Sequence, residues 1–558
     1  MPFARLSFLL PLALLTSALT AQTSAPANPQ KLPLDQRWFY LPTNILVDAN
    51  LEKAADLFTR AEKAHYTGVL LSDSKFGRLD TLDQHYFDNV AKLKKLAADH
   101  HLELIPSVFP IGWSNDILGH NPNLAEGLPV KDALFLVTKG EARPAAEPAA
   151  LLKGGDFANL KQWDWHDPAI TADPENKAAR LDAAVAKGEN ARIVQKLALT
   201  PFHQYRFSMR IKTEQFRGSL RANFLYKSSE GQLDALDFQD WSIKPTQDWT
   251  TYTTIFNSLD HSEVSLYLGS WGPRAGTAWL ADAQLEDAGL LNILRRPGTP
   301  LVIKTEAGAP LIEGQDFAPV KDPKLGVVPW PGEYDLTHEP PAIKLLTHLP
   351  DGAKLRVSFY HPVITSSGAV MLCPSEPETV ALLRDHAQRL HKLFNAKQYF
   401  MAHDEIRCMN WCNACQRRML TPGEILADNV KTCATILKTT APGSTLYVWS
   451  DMFDPHHNAR NNYYLVNGDL AGSWKGLPKD VVIALWYLDK RNESMKFFAD
   501  RGHHMIIAGY YDSDPANMNK WLDAAGKSKG VIGTIYTTWE GNYKQLEAFE
   551  QIVDQYRR

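Results

Sequence analysis

The chain has 558 residues, of which 44% are hydrophobic and 22% are charged, and this composition is ordinary for a globular protein of two or three domains. A formal net charge of -4 at pH 7 gives no reason to expect nucleic acid or an anionic membrane as a partner. Aromatic residues make up 10% of the chain, with 15 tryptophans, and this mildly favours a protein that handles carbohydrate.

The N-terminus has the features of an export signal. Arg5 supplies a positive charge, residues 8–15 form an apolar run, and small residues follow up to Ala21. The run is short for a membrane anchor, and no cysteine follows it that could carry a lipid. We therefore expect residues 1–25 to be a signal peptide and the mature protein to be exported, to the periplasm or the medium, without a membrane anchor.

Strand and helix patterns alternate at both ends of the chain and stop in the middle. Short apolar runs separated by amphipathic helical patterns predict three buried strands before the interruption and five after it. The predicted strands are residues 38–43, 68–73, 102–109, 399–405, 446–451, 481–486, 505–510 and 531–539. Eight such units predict an α/β fold, a (β/α)8 TIM-type barrel.

The interruption shows short alternating runs with Gly and Pro between them, which predict antiparallel strands with one wet face. One stretch within it, residues 173–190, is polar and alanine-rich and is predicted as a loop or short helix. A β-sandwich inserted after strand three accounts for the region. The predicted domains are the first part of the barrel, residues 31–131, the inserted sandwich region, residues 132–361, and the second part of the barrel, residues 362–558.

The predicted fourth strand ends in two adjacent carboxylates, Asp404 and Glu405. Buried acids are costly unless they are paired or used, and barrel active sites collect where the strands end. Other strand-like segments end in polar or aromatic residues as well. Acids set among indole and phenol rings suit a sugar, whose C–H faces stack on rings. The further candidates for substrate binding are Asp73, His361, His403, Trp449, Asp451, Trp486, Tyr510, Asp512, Trp539 and Glu540.

Three of the five cysteines, Cys408, Cys412 and Cys415, form a C-x3-C-x2-C motif just after the acid pair. In an oxidising compartment this pattern predicts one or two disulfides, or buried free thiols. The alternative is a structural zinc or other metal site, with Cys373, Cys433 or a histidine as fourth ligand. We expect no metal in the catalytic chemistry and leave the metal reading of the motif open.

The second half of the barrel resembles glycoside hydrolase family 20, the β-N-acetylhexosaminidases, and more distantly family 123. Asp404 and Glu405 occupy the position of the catalytic Asp-Glu pair at the end of strand four. Aromatic and acidic residues after the later strands also match: Trp449, Asp451, Trp486, Tyr510, Asp512, Trp539 and Glu540. The resemblance covers roughly residues 376–558 and the order of the first three strands.

This resemblance implies substrate-assisted, retaining hydrolysis without an organic cofactor. Glu405 would be the acid and base, and Asp404 would orient the 2-acetamido group of the substrate. Tyr510 would donate to the acetamido oxygen, the tryptophans would wall the sugar, and Asp512 and Glu540 would hold its hydroxyls. The sequence departs from the family in one respect. The His-x-Gly-Gly that usually precedes the acid pair is replaced by residues 400–403, so that His403 flanks the acids directly.

The inserted region resembles a carbohydrate-binding module of the family 4/9 sandwich type, with Gly155, Asp156 and Phe157 near its start and residues 277–282 at its end. The sequence therefore predicts an exported glycoside hydrolase that acts on terminal β-linked N-acetylhexosamine or a related sugar. Two alternatives stay open. One is a glycosidase for a non-acetylated sugar with a separate nucleophile, Asp512 or Glu540. The other is a non-catalytic protein that binds glycans. The oligomeric state is not predicted.

Overall fold

The computed structural model describes residues 31–145, 152–182, 190–228, 231, 233–237, 239 and 241–557. The predicted signal peptide, residues 1–25, lies outside the described residues. Within these ranges, no helix combines the length and the apolar character needed to cross a bilayer.

Eight parallel strands close into a barrel, so the predicted fold class is confirmed. In chain order the strands are β1 Gln36–Pro42, β2 Gly68–Ser72, β3 Glu103–Val108, β4 Gln398–Met401, β5 Thr445–Trp449, β6 Val482–Leu485, β7 Met505–Ala508 and β8 Val531–Tyr536. Pairing of β1 with β8 closes the barrel. Strands that are buried on both faces read as continuous apolar runs, which is why the sequence predicted all eight.

Side chains fill the barrel interior and helices cover its outside. Trp38, Phe400, Tyr447 and Ile506 belong to one apolar cluster contributed by alternate positions of the strands. The helices are Asp48–Lys63, Gln84–Asp99, Pro377–Phe394, Pro422–Thr440, Arg491–Ala499, Asn517–Ala525 and Leu546–Tyr556, with short helices Asn115–Leu118 and Asn413–Gln416. The connection from β5 to β6, which lies wholly within the described residues, has no α-helix; it contains the 3-10 turns Asp451–Phe453 and Ser473–Gly476 and the short strand Leu465–Val466.

The insert follows β3 and contains two antiparallel sheets. The eight-stranded sheet is built on two long strands, Gln204–Lys227 and Glu263–Asp287. Its other strands are Trp165–His166, Ile170–Asp173, Ala178–Asp182, Ala191–Ala198, Leu233–Ala235 and Gln247–Asn257. The six-stranded sheet contains Gly127–Thr138, Glu141–Pro144, Val302–Thr305, Pro310–Leu311, Ile343–Lys344 and Lys354–Pro362.

One local prediction in the insert is wrong. Part of the stretch expected as a loop or helix is a strand, Ala178–Asp182, which pairs with the end of Glu263–Asp287. Its alternation of buried and half-exposed residues is short and was masked by its alanines. The remainder of that stretch, residues 183–189, lies outside the described residues.

Candidate active site

A cavity of about 660 Å³ opens at the carboxyl end of the barrel. Every barrel strand, or the residue run just after it, contributes a side chain to the lining. These residues are Tyr40, Leu70, Ser107, Phe400, Trp449, Trp486, Tyr511 and Trp539. The volume lies within the range of small-molecule sites, about 300–1,000 Å³. The end of the barrel that holds the cavity is the end at which barrel enzymes carry their active sites.

Both predicted acids, Asp404 and Glu405, line this cavity. They stand three and four residues past β4, on a loop whose backbone is held by two neighbours. The N–H of Glu405 donates to Asp451 Oδ2 at 2.9 Å, and the N–H of Ile111 donates to the carbonyl of Ala402 at 3.0 Å. Glu405 has a φ of 51°, a conformation that residues other than glycine rarely adopt. The packing around the loop therefore imposes the direction of the Glu405 side chain.

The electrostatic setting of Asp404 opposes its ionisation. Burial, and then the negative charges of Asp451 and Glu405, raise the pKa of Asp404 to about 8. Asp451 lies behind the pair, fully buried, and accepts a second hydrogen bond from Asn458 Nδ2 at 3.0 Å. Burial also raises the pKa of Asp451, to about 7, against the hydrogen bond from Glu405 N–H. The site thus contains at least one carboxyl group that carries a proton near neutral pH.

Glu405 has a different environment from its neighbour. Its Oε2 accepts from an Nη2 of Arg407 at 2.7 Å, and the Arg407 side chain is only 10% exposed. Arg407 is itself held between two rings, with its guanidinium carbon 5.4 Å from the centre of Trp113 and 5.5 Å from that of Tyr464. The cation that balances Glu405 is therefore fixed in position, and sequence reasoning did not identify it.

The predicted tryptophans Trp449, Trp486 and Trp539 all line the cavity. Trp449 is 4% exposed and packs edge-on against Phe400, so it forms the floor. Trp539 is 43% exposed and stands at the mouth, 5.9 Å from Trp449 between ring centres. The rings thus form a continuous apolar wall from floor to mouth, the kind of surface on which a sugar ring can lie.

Tyr510 does not reach the cavity, and its neighbour Tyr511 does. Tyr510 is 2% exposed and stacks on Tyr536 at 4.3 Å between ring centres. Tyr511 has a φ of 53°, which turns its ring onto Trp486 at 5.5 Å and an interplanar angle of 14°. Burial, followed by the charges of Glu405 and Asp451, raises the pKa of Tyr511. The predicted tyrosine is thus displaced by one position in the sequence.

Asp512 and Glu540 are absent from the cavity lining. Asp512 Oδ1 accepts from the hydroxyl of Thr538, and Oδ2 accepts from the backbone N–H of Trp539 at 2.6 Å and of Glu540 at 3.2 Å. Asp512 therefore shapes the loop that carries Trp539. The Glu540 side chain is exposed to solvent. The structure does not bring either carboxylate to the position of a second nucleophile.

Of the three remaining candidates, Asp73 lines the cavity, whereas His361 and His403 do not. Asp73 accepts from the N–H groups of Ile45 and Lys75 and from the Tyr86 hydroxyl, at 2.9–3.0 Å, so its oxygens already have partners. His361 is 1% exposed and its Nε2 lies 3.0 Å from Asn257 Nδ2, at the contact between the insert sheets.

His403 is completely buried and points to Asn429, with Nε2 3.2 Å from Asn429 Oδ1. Burial lowers the pKa of His403 to about 3, so the ring is neutral. Neighbouring side chains point in opposite directions just past the end of β4, which explains why His403 does not line the cavity as predicted. His403 is a neighbour of the acids in sequence, but it faces the helix layer.

Sequence reasoning missed several cavity residues that come from segments outside the strand ends. Trp113 and the short helix that holds Asn115 and Asp116 follow β3. Glu333 comes from a loop within the insert, and Ser366 and Ser367 come from the return of the insert to the barrel. His386, on the helix Pro377–Phe394, also lines the cavity, is 3% exposed, and has no hydrogen-bond partner at either ring nitrogen among the described residues. A histidine within an amphipathic helical pattern gives no indication in the sequence that it will line a cavity.

Within the described residues, the five cysteines are free thiols, and all are buried. Cys412 and Cys415 lie together with Cys373, whereas Cys408 is on a short strand, Cys408–Met409, that pairs with Leu465–Val466. Cys433 lies elsewhere, on the helix Pro422–Thr440. The sequence motif thus divides, since two of its members join a cluster and the first does not.

No family model matches the chain, and a search of curated proteins finds no match. Solved structures with similar folds include a rhamnosidase from Novosphingobium sp. PP1Y, 12% identical with a TM-score of 0.30, over 94% of this chain and 58% of that one. A β-N-acetylhexosaminidase is 15% identical with a TM-score of 0.26, over 34% of this chain and 44% of that one.

The structure described as "CBM4 structure and function" is 15% identical with a TM-score of 0.18 and matches 25% of this chain and 84% of its own. At these identities and TM-scores, the matches give no information about the activity of this chain.

Proposed function

We propose that the protein is an exported glycoside hydrolase that removes a terminal sugar, with Asp404 and Glu405 as its catalytic residues. The observation that carries the proposal is the placement of both carboxylates in one cavity at the carboxyl end of the barrel, under a wall of tryptophan rings. A core packing role accounts for neither feature, because buried acids and half-exposed tryptophans both cost free energy unless a ligand uses them.

The different surroundings of the two acids suggest their roles. Two titratable groups whose environments separate their proton affinities form the usual acid and base pair of a glycosidase. Asp404, held protonated by burial and by Asp451, donates its proton to the glycosidic oxygen as the bond from this oxygen to the anomeric carbon breaks. Glu405, held by Arg407 at 2.7 Å, faces the positive charge that develops on the sugar.

Water completes the reaction at the anomeric carbon. Its oxygen bonds to that carbon, and its proton returns to Asp404, so the enzyme ends in its starting protonation state and one water molecule is consumed. The family resemblance of the acid pair assigns the roles in the opposite order, with Glu405 as acid. The first experiment must therefore establish which of the two acids donates the proton.

A substrate that supplies its own nucleophile fits the cavity better than a second catalytic carboxylate. Asp73, Asp116 and Glu333 also line it, but backbone N–H groups occupy the oxygens of the two aspartates, and burial raises the pKa of Glu333. Asp512 and Glu540 lie outside it. We therefore propose a terminal β-linked N-acetylhexosamine as the substrate. Its acetamido oxygen bonds to its own anomeric carbon as the glycosidic bond breaks, and this new bond breaks in turn when water attacks the same carbon.

The test uses aryl glycosides of N-acetylglucosamine, N-acetylgalactosamine, glucose, galactose and rhamnose, with good and poor leaving groups. Asp404→Asn is expected to reduce kcat on the poor leaving group by about 10²–10⁴-fold and to spare the good one, since an activated phenol needs no proton. Glu405→Gln is expected to reduce turnover of both. Glu493→Gln, an exposed carboxylate on an outer helix, is the control.

The outcomes separate the alternatives. Sparing of the activated substrate by Glu405→Gln in place of Asp404→Asn would exchange the two roles. Hydrolysis of 2-hydroxy but not 2-acetamido glycosides would exclude the substrate-assisted reaction. Saturable sugar binding without turnover of any glycoside by the unsubstituted chain would overturn the proposed enzyme and favour a glycan-binding protein.

A further inference from the structure

We infer that Glu126, Cys373, Cys412 and Cys415 form a structural zinc site that joins the two ends of the insert to the loop after β4. All four side chains are buried, and one ligand atom from each lies within 4.8 Å of the other three. The site is separate from the proposed catalytic residues and does not depend on the proposed activity.

The distances agree with a shared tetrahedral ion. Cys373 Sγ lies 3.4 Å from Cys412 Sγ and 3.6 Å from Cys415 Sγ. Zinc–sulfur bonds of about 2.3 Å at tetrahedral angles place sulfurs about 3.8 Å apart. A covalent S–S bond of about 2.05 Å would require two of them to be much closer. The three thiols therefore surround a common point, and no two of them form a disulfide that would leave the third thiol unpaired.

Glu126 completes the four ligands. Its Oε2 lies 3.6 Å from both Cys412 Sγ and Cys415 Sγ, close to the separation of about 3.5 Å expected for oxygen and sulfur on one zinc ion. Its Oε1 accepts from the backbone N–H of Trp411 at 2.8 Å and of Cys412 at 2.9 Å. One oxygen is thus oriented by the backbone while the other faces the sulfurs, as in carboxylates that bind a metal through one oxygen.

The type of ligand and the presence of four protein ligands favour zinc. Thiolates favour soft or borderline ions, and structural zinc sites have four protein ligands and no open position. Cys412 and Cys415 are spaced as in zinc sites, with Cys415 on the one-turn helix Asn413–Gln416. Three thiolates and a carboxylate carry four negative charges. Zinc supplies two positive charges, and Arg296, whose side chain is 5% exposed, lies near the cluster and also pairs with Glu376 at 3.1 Å.

The position of the site indicates that zinc would cross-link separate segments of the chain. Glu126 is the last residue before the insert sheet, and Cys373 follows the return of the insert to the barrel. The chain segments on either side are already paired, since Cys373 N–H donates to Leu124 O and Glu126 N–H donates to Met371 O, both at 2.8 Å. Zinc would join this pair to the loop that runs from Glu405 to Cys415, and so would fix Arg407 and the acid pair.

The first experiment measures metal in the purified chain by mass spectrometry of the elements, before and after incubation with zinc chloride and removal of excess. We expect about one zinc per chain, and at least a tenfold loss of affinity in competition with a chromophoric chelator for Cys412→Ala and Cys415→Ala. Cys408→Ala and Cys433→Ala remove buried thiols outside the cluster, so they control for loss of packing and should keep the zinc.

Glu126→Gln separates ligation from positioning. The glutamine oxygen can still accept from the two backbone N–H groups, while its amide nitrogen is a poor zinc ligand, so at least tenfold weaker binding is expected with the fold intact by circular dichroism. Cobalt in place of zinc should give the visible absorption of a tetrahedral thiolate site, and Glu126→Gln should change that spectrum.

Three results would overturn the inference. One is a disulfide among Cys373, Cys412 and Cys415, seen as a loss of two hydrogens in the intact mass with no bound zinc. A second is three alkylatable thiols that take up no zinc. A third is zinc bound equally well by all the variants. None of these results depends on turnover, so failure of the zinc site and failure of the proposed hydrolase are distinguishable.

Discussion

Asp404 and Glu405 are adjacent in the chain and differ in what lies against each carboxyl group. Asp404 is buried and lies near the negative charge of Asp451, whereas Glu405 contacts Arg407 at 2.7 Å. The contact with Asp451 is non-local in sequence, because Asp451 follows β5. Arg407 is two residues from Glu405, and the turn between them brings the two side chains together. The chemistry of the pair is therefore set by neighbours that the fold supplies.

Raising the pH is expected to lower stability up to about pH 8 and to lower activity above it, both through Asp404. If its proton is the one donated, kcat/KM should fall about tenfold for each pH unit above about 8, the pKa of Asp404. The pKa of an unfolded aspartate is about 3.9, so the folded state binds more protons between pH 4 and 8. The free energy of unfolding should therefore decrease as pH rises through this window and then level off.

The Asp404→Asn variant is the control for the stability part of that prediction. Asparagine cannot ionise, so the variant should become more stable than the unsubstituted chain as pH rises from 4 to 8, by about 1 kcal/mol or more at the upper end. Urea unfolding at several pH values measures it. A difference that is constant with pH would show that Asp404 ionises normally in the folded protein.

Tyr510 and Tyr511 offer a matched pair of substitutions. Tyr511→Ala removes a ring that stacks on Trp486 at the cavity mouth and is expected to raise KM about tenfold or more with little change in stability. Tyr510→Phe removes only a hydroxyl that contacts Asn542 Nδ2 at 3.4 Å, so KM should stay within about twofold. Initial-rate kinetics on one aryl glycoside check both. A large effect of Tyr510→Phe on kcat would restore the role implied by the family resemblance.

The loop after β3 supports the loop that carries the acids. A Cβ on Gly112 would lie 2.0 Å from the carbonyl oxygen of Asp404 and 3.0 Å from that of Glu405. These are backbone atoms and cannot rotate away. The glycine after β3 is therefore required by the close approach of two chain segments, and a side chain there must push the acid loop out of place.

Gly112→Ala is accordingly expected to lower kcat/KM by at least 10²-fold while the barrel stays folded, since catalytic groups must be held within about 0.5 Å of their productive positions. Gly443→Ala is the control. Its φ of 81° makes alanine unfavourable by about 1 kcal/mol, but a Cβ there would contact nothing within 4 Å, and it lies before β5 at the other end of the barrel. If both variants kept full activity, the acid loop would not need this support.

The sequence predicted the barrel well because each strand is a short apolar run between helical patterns. It predicted the site less well, since several predicted strands ran two to four residues too far. The residues beyond the true strand ends belong to loops with positive φ, as at Tyr511 and Glu405, where alternation no longer gives the direction of a side chain. Glu126 carries no signal at all, because its partners are more than 240 residues away in sequence.

The first and last strands of the barrel close it by pairing with each other. Strand β1 pairs with β8, and the buried pair of Arg37 and Glu550 joins β1 to the last helix, with Nη1 and Oε1 at 2.9 Å. The side chains are 10% and 1% exposed. Burial raises the pKa of Glu550 to about 8, although Arg37 opposes this rise. The pair is therefore costly to bury and depends on both members being present.

Removing one member should cost more than removing both. Arg37→Met leaves Glu550 buried without its cation and is expected to reduce the free energy of unfolding by about 3 kcal/mol. Glu550→Gln should cost less, since glutamine keeps an acceptor for Arg37. The double variant Arg37→Met with Glu550→Leu replaces the ion pair with apolar groups and should recover most of the loss.

Urea unfolding followed by tryptophan fluorescence measures all three variants against the unsubstituted chain. The single Arg37→Met variant should also lose less stability at pH 5 than at pH 8, because at the lower pH Glu550 can take up a proton and becomes neutral. An equal loss at both pH values, or a double variant no more stable than Arg37→Met, would mean that packing around Arg37, and not its charge, holds the chain ends together.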